Sequence, residues 1–478
     1  MCYPVSHSVS AFTTGCMTAS SSGASDGDRL IHIKVCITVG LLVLGALLGA
    51  IMGATTNEAS QAHTEGLIID FAEYVVVWYE ADYRVTDDPV ELLKKACEEN
   101  GFTYTFDDQG KLTEVDGVGN TDSFRWDLWY VVKETTEWVR SDTYGIKASD
   151  YAAVTWAFRQ DGSVPTVGVD ATGVCFYGYE RPMRLVSLSP VSTETLCALG
   201  AADIIVGVDY YSNYPNKIAE EKANGMIAVV GTYTDPSFEI VMKQSPDMII
   251  ADGSQYNQVQ MANTVRSSGM NAVVIYEGQD IKTIYDNTYL VGKATNYDIA
   301  SQSIIDTDTQ AMKDISSMIG PVLEQKSVMV ALSTDISPYV AGSRTYVANI
   351  MADIEADNAF SSFTGWCHVN TGYIARYDPD VIIVVTDSYD ATQAEWDIMY
   401  ANLGDTWKST TAYANKDIYL LCGKTTDLAS RSAPRFVQLA ELMAYMIYPD
   451  LTGTSVPKYI GDNYKDYLTI THDMGYDN

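Results

Sequence analysis

Ser187 and Ser189 are the side chains best placed to attack an electrophile. They lie in "RLVSLSPVSTETLCALG" (Arg184–Gly200), where a short apolar strand meets a Ser/Pro/Thr corner and then a helix. A serine nucleophile needs a base within hydrogen-bond reach. The chain has five histidines, and His7, His32 and His63 fall in or beside an N-terminal leader. Only His368 and His472 remain, and no Gly-x-Ser-x-Gly elbow is present. No catalytic constellation results, so an enzyme is not expected. The corner reads instead as one wall of a ligand cleft, its hydroxyls and helix N-terminus facing a polar edge. Ser192 or Thr193 can also cap the helix. Five histidines and no CxxC among eight cysteines leave no zinc site in view. Cys97, Cys175, Cys197, Cys367 and Cys422 lie beyond the N-terminal segment; their odd number gives no complete disulfide framework.

The elements that must position such a site occupy 478 residues, enough for two or three domains. The net charge of −32 repels phosphate backbones and argues against nucleic acid as a partner. "VCITVGLLVLGALLGAIMG" (Val35–Gly53) carries no charge and, as a helix, spans about 28 Å, one hydrocarbon core. Arg29 and Lys34 precede it, so residues 1–34 are expected in the cytoplasm and the remainder outside. A cleaved signal peptide is the rival reading. Residues 54–65 read as a polar linker.

Residues 66–171 read as a small α+β domain. "DDPVELLKKACEENG" is a punctuated helix, with Asp88 as cap, Pro89 at the first helical position, Glu91 closing a capping box and Gly101 ending it. Strand-like runs surround it, among them "GKLTEVDGV" (Gly110–Val118), "WDLWYVV" (Trp126–Val132) and "DYAAVTWAF" (Asp150–Phe158). In that order they resemble the transcobalamin-like C-terminal β domain, which implies a surface able to touch a corrinoid.

After a linker at 172–183, residues 184–455 repeat themselves loosely. "SPDMIIADGS" (Ser245–Ser254) echoes "DPDVIIVVTDS" (Asp378–Ser388), and "RLVSLS" (Arg184–Ser189) echoes "KSVMVALS" (Lys326–Ser333). Apolar strands alternating with helices predict two parallel-sheet lobes, 184–279 and 325–455. Apolar residues at helical spacing predict one long connecting helix over 280–319, with Gly292 its only breaker. Residues 456–478 read as a C-terminal tail. The fold class expected is therefore α/β, two Rossmann-like lobes joined by a backbone helix, preceded by the small domain and a transmembrane helix. Ligands of open α/β sheets bind beyond the carboxyl ends of strands. Those loops carry Tyr211, Tyr214, Tyr233, Tyr256, Tyr339 and Trp366.

"RLVSLSPVSTETLCALGAADIIVGVDYYSNYP" (Arg184–Pro215), "TYTDPSFEIVMKQSPDMIIAD" (Thr232–Asp252) and "SRSAPR" (Ser430–Arg435) resemble the cobalamin and iron-siderophore substrate-binding proteins of ABC importers. The resemblance implies a surface-anchored binding protein that passes a corrinoid to a permease and its ATPase. It implies ligand contact by Tyr214, Tyr233, Tyr339, Trp366 and Arg431, with Asp252 standing where a ring is usual. It implies permease docking by Glu239, whose C-lobe counterpart is Gly372. No catalytic cofactor is implied; the corrinoid is the ligand. His368, two residues after Trp366, is the one histidine on an expected cleft loop and so the candidate cobalt ligand. A ferric siderophore or heme is the alternative ligand; siderophore sites in this class use arginines, and these loops offer mainly rings. A structural or adhesive surface protein with a degenerate cleft is the alternative of another class.

Overall fold

The computed structural model describes residues 66–71, 76–133, 138–160, 165, 168–176 and 181–476. The expected tail 1–34, anchor 35–53 and linker 54–65 lie outside the described residues. Among the described residues no helix is long and apolar enough to cross a membrane.

The small domain is a five-stranded sheet with one covering helix. Strands β1 (Gly66–Asp70), β2 (Val76–Glu80), β6 (Phe124–Val131), β7 (Trp138–Arg140) and β8 (Ala153–Gln160) run in the order β2-β1-β8-β6-β7. Helix α1 (Pro89–Asn100) lies on one face, and a three-stranded meander, β3 (Tyr104–Phe106), β4 (Leu112–Val115) and β5 (Val118–Gly119), extends beside it. Asp88 caps α1 through the amides of Val90 and Glu91, and Gly101 ends it at φ 70°. The capping box does not close. The Asp88 amide donates to the Thr86 hydroxyl, and Glu91 pairs with Lys94 instead. Leu92, Leu93, Ala96 and Cys97 meet Leu67, Leu128 and Trp156 in the core.

The expected linker, 172–183, is structured at its start: β10 (Cys175–Phe176) pairs as a hairpin with β9 (Gly168–Val169), at the end of the expected small domain. Val169 packs with Ile68, Val131 and Trp138 on the small domain's second face. Its neighbour Asp170 is buried and accepts from the guanidinium of Arg266 and from the amide of Val274 at 2.9 Å. One residue faces each domain, so the hairpin clamps the small domain to the large one.

The first lobe is a parallel sheet, β13-β12-β11-β14-β15, built from β11 (Leu185–Ser187), β12 (Ile205–Val208), β13 (Ala228–Val229), β14 (Met248–Asp252) and β15 (Asn271–Ile275). Helices α2 (Pro190–Ala198), α3 (Phe238–Lys243) and α4 (Tyr256–Ser267) connect its strands. The expected single connecting helix is two helices, α5 (Ile281–Thr295) and α6 (Asp298–Ile319). Asn296 turns the chain at φ 58°. Gly292 is not the break. It is where α5 meets α6, since a β-carbon there would fall 2.5 Å from the Ser301 side chain. Leu290, Val291 and Ala294 of α5 pack on the first lobe, and Ala311, Ile315 and Ile319 of α6 on the second.

In the second lobe β16 (Ser327–Ala331), β20 (Val381–Val385), β21 (Ile418–Leu421) and β22 (Tyr459–Ile460) run parallel. An antiparallel ribbon, β17 (Tyr339–Ala341) with β19 (Trp366–His368), flanks β16, and the short β18 (Asp357–Asn358) pairs parallel with β16. Between β19 and β20 lies α7 (Thr371–Tyr377), and after β21 come α8 (Lys424–Ser430) and α9 (Phe436–Ile447). All twelve residues of α9 are buried, at the centre of the lobe. The repeated Pro-Asp does one job in both lobes. Asp247 accepts from the Arg184 amide and Asp380 from the Ser327 amide, each at 2.9 Å, tying a strand's start to that of its neighbour.

The expected C-terminal tail is no tail. Residues 459–460 add a strand, and Tyr464, Leu468 and Tyr476 are buried in the second lobe's core. Glu441 of α9, itself buried, accepts from the amides of Thr469, Ile470 and Thr471.

Candidate ligand cleft

A cleft of about 660 Å³ opens between the lobes. From the first lobe Pro190, Tyr211 and Tyr233 line it; from the second, Asp387, Asp427 and Arg431 do. These residues follow β11, β12, β13, β20 and β21, the strand ends where an open α/β sheet binds its ligand.

Tyr233 is braced from behind. Its hydroxyl donates to Asp252 at 3.2 Å and shares a hydrogen with Ser254 at 2.9 Å. Buried Gln258 donates to the carbonyls of Leu188 and Tyr233 and accepts from the Asp252 amide at 2.8 Å. One amide side chain therefore holds three cleft loops together. Burial and the adjacent Asp252 push the Tyr233 phenol up to about 12, and burial also raises the Asp252 carboxyl. Tyr210 and Tyr211 meet edge to face at 5.2 Å, both more than half exposed.

The cations of the cleft are engaged. Lys222 donates to the carbonyls of Tyr210 and Ser212. Arg431 donates to Glu194 at 2.6 Å, to Asp427 at 2.8 Å and to the Tyr211 carbonyl at 3.3 Å. Burial raises the Asp427 carboxyl to about 6, with Arg431 acting against it. Two cations and two carboxylates, Asp387 and Asp427, line the cleft, so their formal charges cancel.

The hydroxyl corner does not face the ligand. Ser187, Ser189, Ser192 and Thr193 are fully buried and bond to one another, and Thr193 reaches Ser212 at 2.9 Å. Ser212 donates to Asp209, which closes the chain of hydroxyls. The cap of α2 is Ser189, through the Ser192 amide at 3.1 Å, not Ser192 or Thr193.

The structure brings Tyr233 and Arg431 into this cleft and places the other expected contacts elsewhere. Tyr214 is buried, with the Arg435 guanidinium 3.4 Å from its ring centre. Tyr339 and Trp366 stand on the antiparallel ribbon rather than on strand-end loops. Trp366 borders a separate hollow of about 190 Å³, with Gln279, Arg344 and Tyr346. The His368 ring lies 3.6 Å from the Tyr339 ring, and its Nδ1 pairs with the Ser337 carbonyl at 2.8 Å, outside the cleft lining. Glu239 is exposed at the second position of α3, and Gly372 holds the same position of α7. Gln258 and Glu194 escaped sequence reasoning, because their partners lie 70 and 241 residues away along the chain.

Residues 185–425, half of the chain, match the periplasmic binding protein family. The chain belongs to that family. It is 27% identical over 274 residues to an uncharacterized ABC transporter substrate-binding lipoprotein, YvrC, of Bacillus subtilis, covering 57% of this chain and 82% of that one. It is 23% identical over 296 residues to a cobalamin-binding protein of Halobacterium salinarum, covering 59% and 74%. A periplasmic heme-binding protein of Vibrio cholerae is 22% identical, with a TM-score of 0.48 over 56% of this chain and 99% of its own. Members of the family bind solutes and are not enzymes, and this periplasmic binding protein is a substrate-binding component for ABC transport.

Proposed function

We propose that the chain captures a corrinoid between its lobes and delivers it to an ABC-importer permease and ATPase. The observation that carries this reading is the charge state of the cleft. Both lining cations are engaged by protein acceptors, and two carboxylates offset them. A polyanionic chelate would be desolvated there without a free partner, which is costly. A large ligand with little net charge and amide edges meets rings and hydroxyls instead. The cobalamin-binding relative agrees with this choice. Heme is the second reading, because Tyr233 presents a phenol to the cleft. The phenolate that iron(III) would need is opposed by the burial that holds the group near 12.

Residues 35–53 hold the chain at the membrane with the binding lobes outside. The B. subtilis relative, a lipoprotein by name, fits an extracytoplasmic, membrane-held site of action. Glu239 contributes the first-lobe contact to the permease. The 66–171 domain, similar in its motifs to the transcobalamin C-terminal domain, acts as a spacer. It is clamped at the β15 edge and supplies none of the described lining residues.

Cobalamin titrations of Tyr233→Ala and Trp366→Ala in the full chain test the cleft. Losing a buried aromatic anchor costs about 2 kcal/mol, roughly thirtyfold in affinity. That loss is expected for Tyr233→Ala and less than a twofold change for Trp366→Ala. The reverse order would move the site to the smaller hollow.

A further inference from the structure

Glu194 lies in the middle of "SPVSTETLCALG", among hydroxyl-bearing and apolar residues. It is only 3% exposed, on the face of α2 that meets the second lobe. Its Oε1 accepts from Arg431 at 2.6 Å and from Arg435 at 2.8 Å, and its Oε2 accepts from Arg435 Nε at 2.9 Å. Both arginines belong to "SRSAPR", more than 230 positions away, so two of the motifs that marked this chain meet as one ion network. Burial opposes the charge on Glu194, but Arg435 and Arg431 outweigh it and hold the carboxyl below its ordinary range.

The two arginines have different surroundings. Arg435 is buried between Glu194, the Tyr214 ring and the Tyr464 hydroxyl. Arg431 lines the cleft, with one terminal nitrogen on Glu194 and the other on Asp427 and the Tyr211 carbonyl. The charge that Arg431 shows to a ligand is therefore set from behind by Glu194 and from the side by Asp427. A bidentate arginine fork is a strong site for carboxylates when it is free.

We propose that Glu194 is a specificity-determining positioning residue: by holding Arg431 across the lobe interface it makes the cleft reject anionic chelates. This rests on the reading of the cleft as the ligand site. Withholding a cation by an internal carboxylate works against the wrong ligand rather than for the right one. It also fixes the lobes at this edge, because the same carboxylate grips both arginines.

The test measures the ratio of affinities for hemin, a dicarboxylate, and cobalamin in the full chain at two salt concentrations. Glu194→Gln removes the charge and leaves one acceptor for Arg435. The hemin-to-cobalamin ratio is expected to rise at least tenfold, with hemin binding newly weakened by salt. Glu194→Asp keeps the charge but draws the carboxylate back from Arg431, so it reports even if Glu194→Gln does not fold. It should shift the ratio the same way, by a smaller factor. Arg431→Met in the Glu194→Gln background should abolish the gain. An unchanged ratio in a folded Glu194→Gln protein, or in Glu194→Asp if that is the one that folds, overturns the proposal. If no form binds cobalamin but the variants gain hemin affinity, the corrinoid reading fails and the role of Glu194 stands.

Discussion

Replacing Glu441 by glutamine should loosen the C-terminal segment and destabilise the second lobe. Glu441 is fully buried on α9 and accepts six hydrogen bonds: its Oε1 takes those from the Tyr445 hydroxyl, both donors of Thr469 and the Ile470 amide, and its Oε2 takes both donors of Thr471. In Glu441→Gln the new NH₂ must replace one oxygen. Placed at Oε2, it meets the Thr471 amide N–H at a former distance of 2.8 Å, donor against donor. The Thr471 hydroxyl can turn to accept, which recovers one contact. Hydrogen bonds to charged groups contribute about 1.5–3 kcal/mol each, so a net loss of about 2–4 kcal/mol follows. For a domain of this size that is on the order of 10 °C in Tm. The dependence on pH is a second handle. Burial works to raise the Glu441 carboxyl, but the bonds from Tyr445, Ile470, Thr469 and Thr471 together lower it below 4.5. Its contribution is therefore present above 4.5 and lost as pH falls through the lowered folded value. Thermal melts followed by circular dichroism should show the full gap between wild type and variant at pH 7 and a narrowing gap below pH 4. Equal melting at pH 7, or a gap of constant size down to pH 3, would refute the argument.

Arg266→Met leaves Asp170 buried without its cation and should cost about 3–5 kcal/mol, read as faster proteolysis between residues 160 and 185. Adding Asp170→Asn should recover more than half of that loss. Glu239→Ala should lower cellular uptake while leaving ligand affinity unchanged. Gly372→Glu, at the matching helix position, should raise uptake above wild type.

The strands were legible because their apolar runs and Pro-Asp openings are local, and Asp88 and Gly101 marked α1 for the same reason. The break at Asn296 was missed because Gly292 is the weaker helix former, while the turn actually needs a left-handed residue four positions later. The ribbon carrying Tyr339, Trp366 and His368 reads as loops in the sequence, since three-residue strands leave no period to read. The buried polar residues were hidden for another reason. Glu194, Gln258 and Glu441 look like surface positions until their partners are known, and Arg435 stands 241 residues from Glu194. Long-range pairing of that kind leaves no local pattern, so the cleft's charge balance had to come from the structure.

Calorimetric titration of the full chain in detergent with cobalamin, hemin and a ferric siderophore bears most directly on the central claim. The cleft described here predicts one cobalamin per chain, bound at least tenfold more tightly than either anionic chelate and with little dependence on salt. Tighter, salt-sensitive binding of hemin or the siderophore, with cobalamin weak or silent, would contradict it.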